Sequence, residues 1–279
     1  MLADRAPMSE IDKRRPARIP RDVARRRHPG AWPPAGHTPA MTLPHRATSL
    51  AELVAAAREL ATGGRRAVLG IAGSPGAGKS TLAEHLLAAL APDPPAGLSA
   101  GRWVAHVPMD GFHLADVELD RLGLRDRKGA PATFDVHGYL SLLRRIRADD
   151  EPVVYAPAFA RDLEQPIAGS VPVLREARLV ITEGNYLLLD DDPWAGVRPL
   201  LDAAWFCAPD DPVRLERLVR RHVAFGKPPG AARAWALGTD EVNAELVRGT
   251  AGRAGLVVGA DVLDALRPAS GARPGAGAR

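Results

Sequence analysis

The 279-residue sequence predicts an α/β fold built on a doubly wound, mainly parallel sheet. Three observations carry that expectation. Short apolar runs of strand length alternate with longer segments of helical period. A glycine-rich loop joins one such strand to one such helix over 67–90, and two later apolar runs each end on an acidic residue, Asp110 and Glu183. Strand ends in a parallel sheet share one edge, and ligands bind beyond it. One cleft is therefore expected to hold the loop and both carboxylates.

Residues 1–46 are rich in Arg, Pro and polar residues, have no helical or strand period, and are expected to be disordered. They contain no apolar segment of a secretory signal. Met41 stands just before the first periodic segment, so the basic head is read as an over-extended start. The folded domain is placed at 47–267, and 268–279 is read as a disordered, solvated tail.

Within the domain, Ser49 and Glu52 form a capping-box pattern opening an amphipathic helix over 49–61, which Gly63 and Gly64 end. A buried strand at 67–72 and a helix at 82–90 flank the glycine-rich loop, and a loop over 93–101 follows. A second strand at 103–109 delivers Asp110, with His106 packing inside it and given no role. The irregular stretch 111–135, with a helix at 114–122, is long for a connection and is expected to carry function. A helix at 139–146 buries Leu140, Leu143 and Ile146. Four prolines in 152–172 and β-like pieces at 153–155 and 171–174 suggest an excursion off the main sheet. Strands at 177–182 and 202–207 follow, the latter with Cys207 as a small buried apolar group. Asp210, Asp211 and Pro212 open a helix containing Arg214, Arg217, Arg220 and Arg221. After a break at 226–230 come a helix at 240–248, a strand at 256–258 and a closing helix at 261–266.

The loop fits G-x-x-x-x-G-K-[ST] at Gly73, Gly78, Lys79 and Ser80, in the strand-to-helix setting the pattern requires. Gly73, Gly76 and Gly78 permit backbone turns that bring N–H groups toward phosphate oxygens. The following helix points its positive end at the same place. Ser74, Ala77 and Thr81 complete the expected nucleotide cradle, Lys79 would reach the β- and γ-phosphates, and the Ser80 hydroxyl would ligate Mg²⁺. Only four lysines occur against 33 arginines, so a lysine here is not background composition.

The formal charge of +4 is unevenly placed. Residues 1–46 hold ten of the 37 Lys and Arg and four of the 33 Asp and Glu, leaving 27 against 29 in the rest. The domain itself is therefore not basic, and no nucleic-acid partner is expected. No apolar run approaches the roughly 20 residues of a membrane span. The single cysteine excludes an internal disulfide and a C-x-x-C site, which suits a cytoplasmic setting.

The ordered set of landmarks resembles the P-loop small-molecule kinases that group uridine kinase, phosphoribulokinase and type I pantothenate kinase, most closely the uridine-kinase-like nucleoside/nucleotide kinase branch. It comprises the loop, Met109-Asp110-Gly111-Phe112-His113-Leu114, the segment 127–135, and Ile181-Thr182-Glu183-Gly184-Asn185-Tyr186. Weaker landmarks lie at 221–225 and 250–254. The resemblance covers about 68–258 and implies an ATP- and Mg²⁺-dependent kinase acting on a hydroxyl of a nucleoside-, sugar- or pantothenate-like acceptor. Asp110 matches the acceptor-side base, although a carboxylate there would also serve as a helix cap. Glu183 matches the metal-holding position, with an exposed loop glutamate as the plainer reading. Arg221 matches a lid arginine that closes on the transferring group, with Arg217 one turn away, and a solvated basic face is the alternative.

By the same resemblance, Arg127, Lys128, Phe134 and Asp135 fall on the acceptor side, where an ordinary surface loop is the alternative. Arg253 falls near the nucleotide base, where a plain salt bridge fits equally. Arg161 takes the place of a family histidine and, as a departure, would suit a carboxylate or phosphate on the acceptor. Pantothenate kinase proper, or a nucleotide-hydrolysing regulator, are the competing functions; no N-K-x-D stretch of a GTPase is present. A homodimer is compatible with the sequence. A chain beginning at Met41 is expected to keep full activity and solubility, and a large loss of either in that truncation would refute the reading of the head.

Overall fold

The computed structural model describes residues 45–266. In chain order, β1 (His45–Ala47) leads to α1 (Leu50–Leu60), β2 (Ala67–Gly73), α2 (Lys79–Leu90) and β3 (Val104–Pro108). A 3-10 turn at Met109–Phe112 precedes α3 (Asp116–Leu122) and α4 (Val136–Ala148). The strands β4 (Val153–Ala160) and β5 (Gln165–Leu174) come before β6 (Leu179–Gly184) and β7 (Ala203–Ala208). The helices α5 (Asp211–Ala224), α6 (Pro229–Leu237) and α7 (Thr239–Arg248) are followed by β8 (Leu256–Gly259) and α8 (Ala260–Ala265).

Six strands form one sheet in the order β1-β8-β7-β2-β6-β3, and every neighbouring pair is parallel. The central strand β2 is buried along all its length. Leu69 and Ile71 pack in one layer with Leu53 of α1, Leu82 and Leu86 of α2 and Leu263 of α8. Val68 and Ala72 face the other layer, with Tyr139 and Leu143 of α4 and Val247 of α7. Because side chains alternate between the faces of a strand, helices on both sides require the unbroken apolar run seen in β2. The doubly wound parallel sheet expected from the sequence is the fold of the chain.

The excursion over 152–172 is an antiparallel pair, β4 with β5, that stands outside the main sheet. Its strands are longer than the two short pieces read from the sequence, since backbone pairing continues across Pro157 and Pro166 on either side of an irregularity. Arg66, almost fully buried, ties its base down: Nε donates to the Ala177 carbonyl at 2.8 Å, and the two terminal nitrogens donate to Ile146 at 3.0 Å and Leu174 at 3.0 Å.

Two elements differ from expectation. Residues 45 and 46, assigned to the head, belong to β1, which pairs with β8, while His45 Nε2 sits 2.5 Å from Glu52 Oε1. A three-residue strand has no readable alternation, and its conformation comes from the neighbour it pairs with. The break after α5 contains a second helix, α6, whose prolines at positions 228 and 229 start it rather than exclude it. The capping box is also rearranged: Ser49 Oγ accepts from the Glu52 N–H at 3.2 Å as expected, but the Glu52 carboxylate reaches Thr48 instead of Ser49. The remainder of the head, 1–44, and the tail, 267–279, lie outside the described residues. No helix among the described residues is long and apolar enough to cross a membrane.

Candidate active site

The turn from β2 into α2 is a glycine-dependent loop braced from behind. Gly76 and Gly78 have φ of +80° and +89°, values that disfavour any side chain. At Gly76 a Cβ would stand 2.8 Å from the Arg214 carbonyl oxygen. Arg214 is buried in α5, donates to the Pro75 carbonyl at 3.2 Å and to Asp211 at 2.8 Å, and pairs with Glu241 of α7. The loop is thus fixed by a charged network as well as by its own glycines. Ser74 Oγ donates to the Ala244 carbonyl at 3.2 Å, and the Ala77 N–H donates to the Ser74 carbonyl at 3.0 Å.

Sheet register brings the acidic residues to this loop. Glu183, near the end of β6, lies beside Ile71 of β2 and Pro108 of β3. Ser80 Oγ donates to Glu183 Oε1 at 3.0 Å. Lys79 Nζ donates to the Ser74 carbonyl at 3.1 Å and to Asn185 Oδ1 at 2.7 Å. Burial raises the Glu183 pKa and the charge of Asp110 adds to it, with Lys79 and Ser80 opposing. Burial lowers the Lys79 pKa, opposed first by Glu183 and then by Asp110. Burial also pushes Asp110 upward, but His113, Arg161, Lys79 and Arg221 together outweigh it and hold the carboxyl below its usual range.

Asp110 is the second residue of the 3-10 turn Met109–Phe112, whose cap position is Pro108, so the helix-cap reading does not describe its side chain. It lines a cavity of about 580 Å³ with His113, Phe134, Phe159, Arg161 and Arg221. His113 places Nδ1 2.9 Å from the Asp110 carbonyl oxygen and packs its ring 4.0 Å from Phe134 and 4.8 Å from Phe159. Arg161, just past β4, comes within 3.8 Å of Asp110 Oδ2.

The other expected site residues divide. Lys128 lines the cavity, donating to Asp116 Oδ1 at 2.7 Å and to the Glu164 carbonyl at 2.6 Å. Arg127 is exposed and is not among the cavity's lining residues; Arg125 and Asp126 line it from the same turn. Asp135 also stays out of it, because its carboxylate caps α4 by accepting from the Gly138 N–H at 2.8 Å. Arg217 and Arg221 do not act on one spot. Arg217 pairs with Asp264 of α8 and places NH1 3.7 Å from where a Gly78 Cβ would be, over the loop, whereas Arg221 faces the cavity. Arg253 makes the plain salt bridge, to Asp190, and donates to the Leu188 carbonyl at 2.9 Å.

Several contributors were not singled out from the sequence. Asn185 and His113 sit inside quoted motifs, and a polar residue two positions past Glu183 was the available signal for Asn185. Arg214 carried only the signal of a basic helix. His106 was expected merely to pack within its strand. Its Nε2 is 4.0 Å from Glu183 Oε1 with no hydrogen-bond partner among the described residues, and burial depresses its pKa to about 4.

The residues fit a nucleotide and Mg²⁺. Glycines whose Cβ positions are blocked, a buried ammonium resting on carbonyl oxygens where phosphate oxygens would go, and a hydroxyl bonded to one carboxylate with a second near enough to act on it match a phosphate cradle and the hard oxygen donors Mg²⁺ prefers. Mutual repulsion between Asp110 and Glu183 is what a divalent cation would relieve.

Comparison with known proteins agrees with this geometry. The chain is 36% identical over 183 residues to a protein of Schizosaccharomyces pombe named "Putative uridine kinase", spanning 64% of this chain and 76% of that one. The chain belongs to the uridine-kinase-like family of P-loop kinases. It is also 36% identical over 196 residues to the Escherichia coli protein YggC, covering 70% of this chain and 78% of that one. A solved structure titled "putative fructose transport system kinase", from Silicibacter sp. TM1040, superposes with a TM-score of 0.67 at 35% identity, over 76% of this chain and 99% of the other. The family described as methylmalonyl Co-A mutase-associated GTPase MeaB matches residues 40–107. That match takes in the phosphate loop and ends before Asp110.

For a P-loop kinase braced in this way, Gly76→Ala combines left-handed strain with a contact against a backbone oxygen. The variant is expected to fold, by circular dichroism, and to lose ATP affinity on the order of tenfold by calorimetry, from roughly 1–3 kcal/mol of backbone strain. Unchanged affinity would mean that the loop is not the nucleotide site.

Proposed function

We propose that the protein is an ATP- and Mg²⁺-dependent kinase that transfers the γ-phosphoryl group to a hydroxyl of a small metabolite. The observation that carries this is that Glu183, bonded to Ser80, ends the strand beside the one that delivers Asp110 and feels its charge, while Asp110 lines a cavity large enough for a small acceptor. A nucleotide switch needs the loop and the metal site, but it has no use for an ionised carboxylate lining an aromatic-walled cavity beside them.

In this reading Ser80 and Glu183 hold Mg²⁺, which when bound offsets the charge of the phosphates. Lys79 leaves its two internal carbonyl partners for phosphate oxygens. Asp110, kept ionised by the cations around it, accepts the hydroxyl proton as the acceptor oxygen bonds to the γ-phosphorus. The electron pair of the breaking bond remains on the β-phosphate oxygen of the departing ADP. Arg221 stabilises charge that builds up on the transferring group, and Arg217 steadies the loop end. The aromatic wall of Phe134, Phe159 and His113 keeps water from competing with the acceptor.

Pantothenate kinase proper is the nearest alternative, and a regulator that hydrolyses its nucleotide is the alternative outside the kinases. The deciding experiment incubates the protein with ATP, Mg²⁺ and a panel of nucleosides, sugars, pantothenate and phosphorylated metabolites. A phosphorylated product is expected. Lys79→Ala should abolish its formation, and Asp110→Asn should bind ATP normally while losing transfer by about 10²–10⁴-fold. Wild-type transfer by Asp110→Asn would remove Asp110 from the mechanism, and phosphate release without a phosphorylated product would favour the regulator.

A further inference from the structure

The cavity beside Asp110 holds more cationic side chains than its own acids neutralise locally. Five line it: Arg125, Lys128, Arg161, Arg221 and Lys227. Two are committed. Arg125 pairs with Asp116 at 2.8 Å and Asp120 at 3.3 Å, and Lys128 pairs with Asp116 at 2.7 Å. The cavity's Asp126 and Glu164 lie on that same wall, Asp126 next to Arg125 in the chain and Glu164 giving its backbone carbonyl to Lys128, and neither carboxylate has an ion pair among the described residues. Of the cavity's other two acids, Asp240 is taken by His222 at 2.7 Å, and Asp110 is the carboxylate nearest Arg161.

The other three cations are not satisfied in this way. Arg221 and Lys227 have no ion pair with any described residue, and the nearest carboxylate to Arg161 is Asp110 at 3.8 Å, beyond hydrogen-bond distance. Aromatic faces hold two of them instead. Arg161 stands 5.8 Å from the Phe225 ring centroid, and Lys227 stands 5.1 Å from that of Trp235. Such stacking fixes the direction of a guanidinium or an ammonium while leaving its hydrogen-bond donors open. Arg161 also counts, after burial, among the influences that disfavour the ionised form of Arg221, against the charges of Asp110, Asp240 and Glu183, so the two guanidiniums are close enough to repel. Arg161 comes from the β4–β5 hairpin, whereas Phe225 and Lys227 follow α5, so the open donors approach from two sides of the same cavity.

We propose that the acceptor carries an anionic group of its own, a phosphate monoester or a carboxylate, gripped between Arg161 of the hairpin and Lys227 behind α5, with its reacting hydroxyl at Asp110. The claim rests on the kinase reading for the hydroxyl but not for the anion. Because Arg161 lies beside Asp110, hydroxyl and anion are a short span apart, which describes a compact hydroxylated metabolite rather than a large nucleoside.

The test uses full-length protein saturated with Mg²⁺ and a non-hydrolysable ATP analogue, so that the phosphate loop is filled. Binding of glycerol, glycerate and glycerol 3-phosphate, and of ribose and ribose 5-phosphate, is followed by ligand-observed NMR. Transfer to the same compounds is followed separately with labelled ATP. The anionic member of each set is expected to bind at least about tenfold more tightly than the neutral one, the worth of one or two charge-assisted hydrogen bonds. The glycerate and phosphate arms distinguish carboxylate from phosphate. Arg161→Ala and Lys227→Ala should each remove most of that preference without changing affinity for the ATP analogue, and Arg161→Lys should restore part of it. Equal binding of neutral and anionic members, no binding of any, or a preference that survives Arg161→Ala would overturn the anion site. Arg161-dependent binding with no phosphorylated product would leave the anion site standing and overturn the kinase reading, so the two claims fail separately.

Discussion

The arrangement depends on keeping a carboxylate, an ammonium and a hydroxyl together inside a dry sheet edge. Glu183 is buried, and its charge is tolerable only because Ser80 donates to it and Lys79 lies nearby. Lys79 is buried in turn and rests on the Ser74 carbonyl and Asn185. Stripping one partner from a buried ionic group costs about 3–5 kcal/mol, because an uncompensated charge remains. The cluster is therefore held by mutual need. A nucleotide with its cation would substitute for the internal contacts rather than add to an already neutral site.

The strand order makes this geometry available. With β6 between β2 and β3, the phosphate loop, Glu183 and Asp110 emerge side by side although they lie far apart in sequence. The second layer of support comes from elements with no catalytic chemistry. Arg214 braces the loop from α5, Asp264 of α8 holds Arg217 over the start of α2, and the Tyr139 hydroxyl meets Thr182 at 2.6 Å just before Glu183. Thr182 also donates to the Val107 carbonyl at 2.7 Å, linking β6 to the strand that delivers Asp110. Both acidic strand ends are thereby joined by one short chain of hydrogen bonds.

How much of this could be read from the sequence follows from how local each signal is. The phosphate loop was legible because its strand, glycines, Lys-Ser pair and helix are contiguous. The parallel sheet was legible because strands buried on both faces need unbroken apolar runs such as 67–72. The strand β1 was not, since three residues carry no period and β8 alone makes them extended. The partners of Asp135 and Arg253 were not legible, because capping α4 and pairing with Asp190 depend on neighbours that composition cannot specify; for Arg253 the sequence left the salt bridge and a place near the base equally open. Arg217 and Arg221 share a helix face by spacing, yet α8 takes one and the cavity takes the other. Asn185 and His113 gain their places only when β6 and β3 come into register.

The most direct measurement of the central claim is a crystal structure of the protein with Mg²⁺ and a non-hydrolysable ATP analogue. The account predicts the ion about 2.0–2.1 Å from Ser80 Oγ, with Glu183 holding it directly or through one water. It further predicts Lys79 moved from Asn185 onto phosphate oxygens, and the γ-phosphate facing Asp110. A nucleotide bound with Ser80 still donating to Glu183 and no ion between them, or with its γ-phosphate turned away from Asp110, would contradict it.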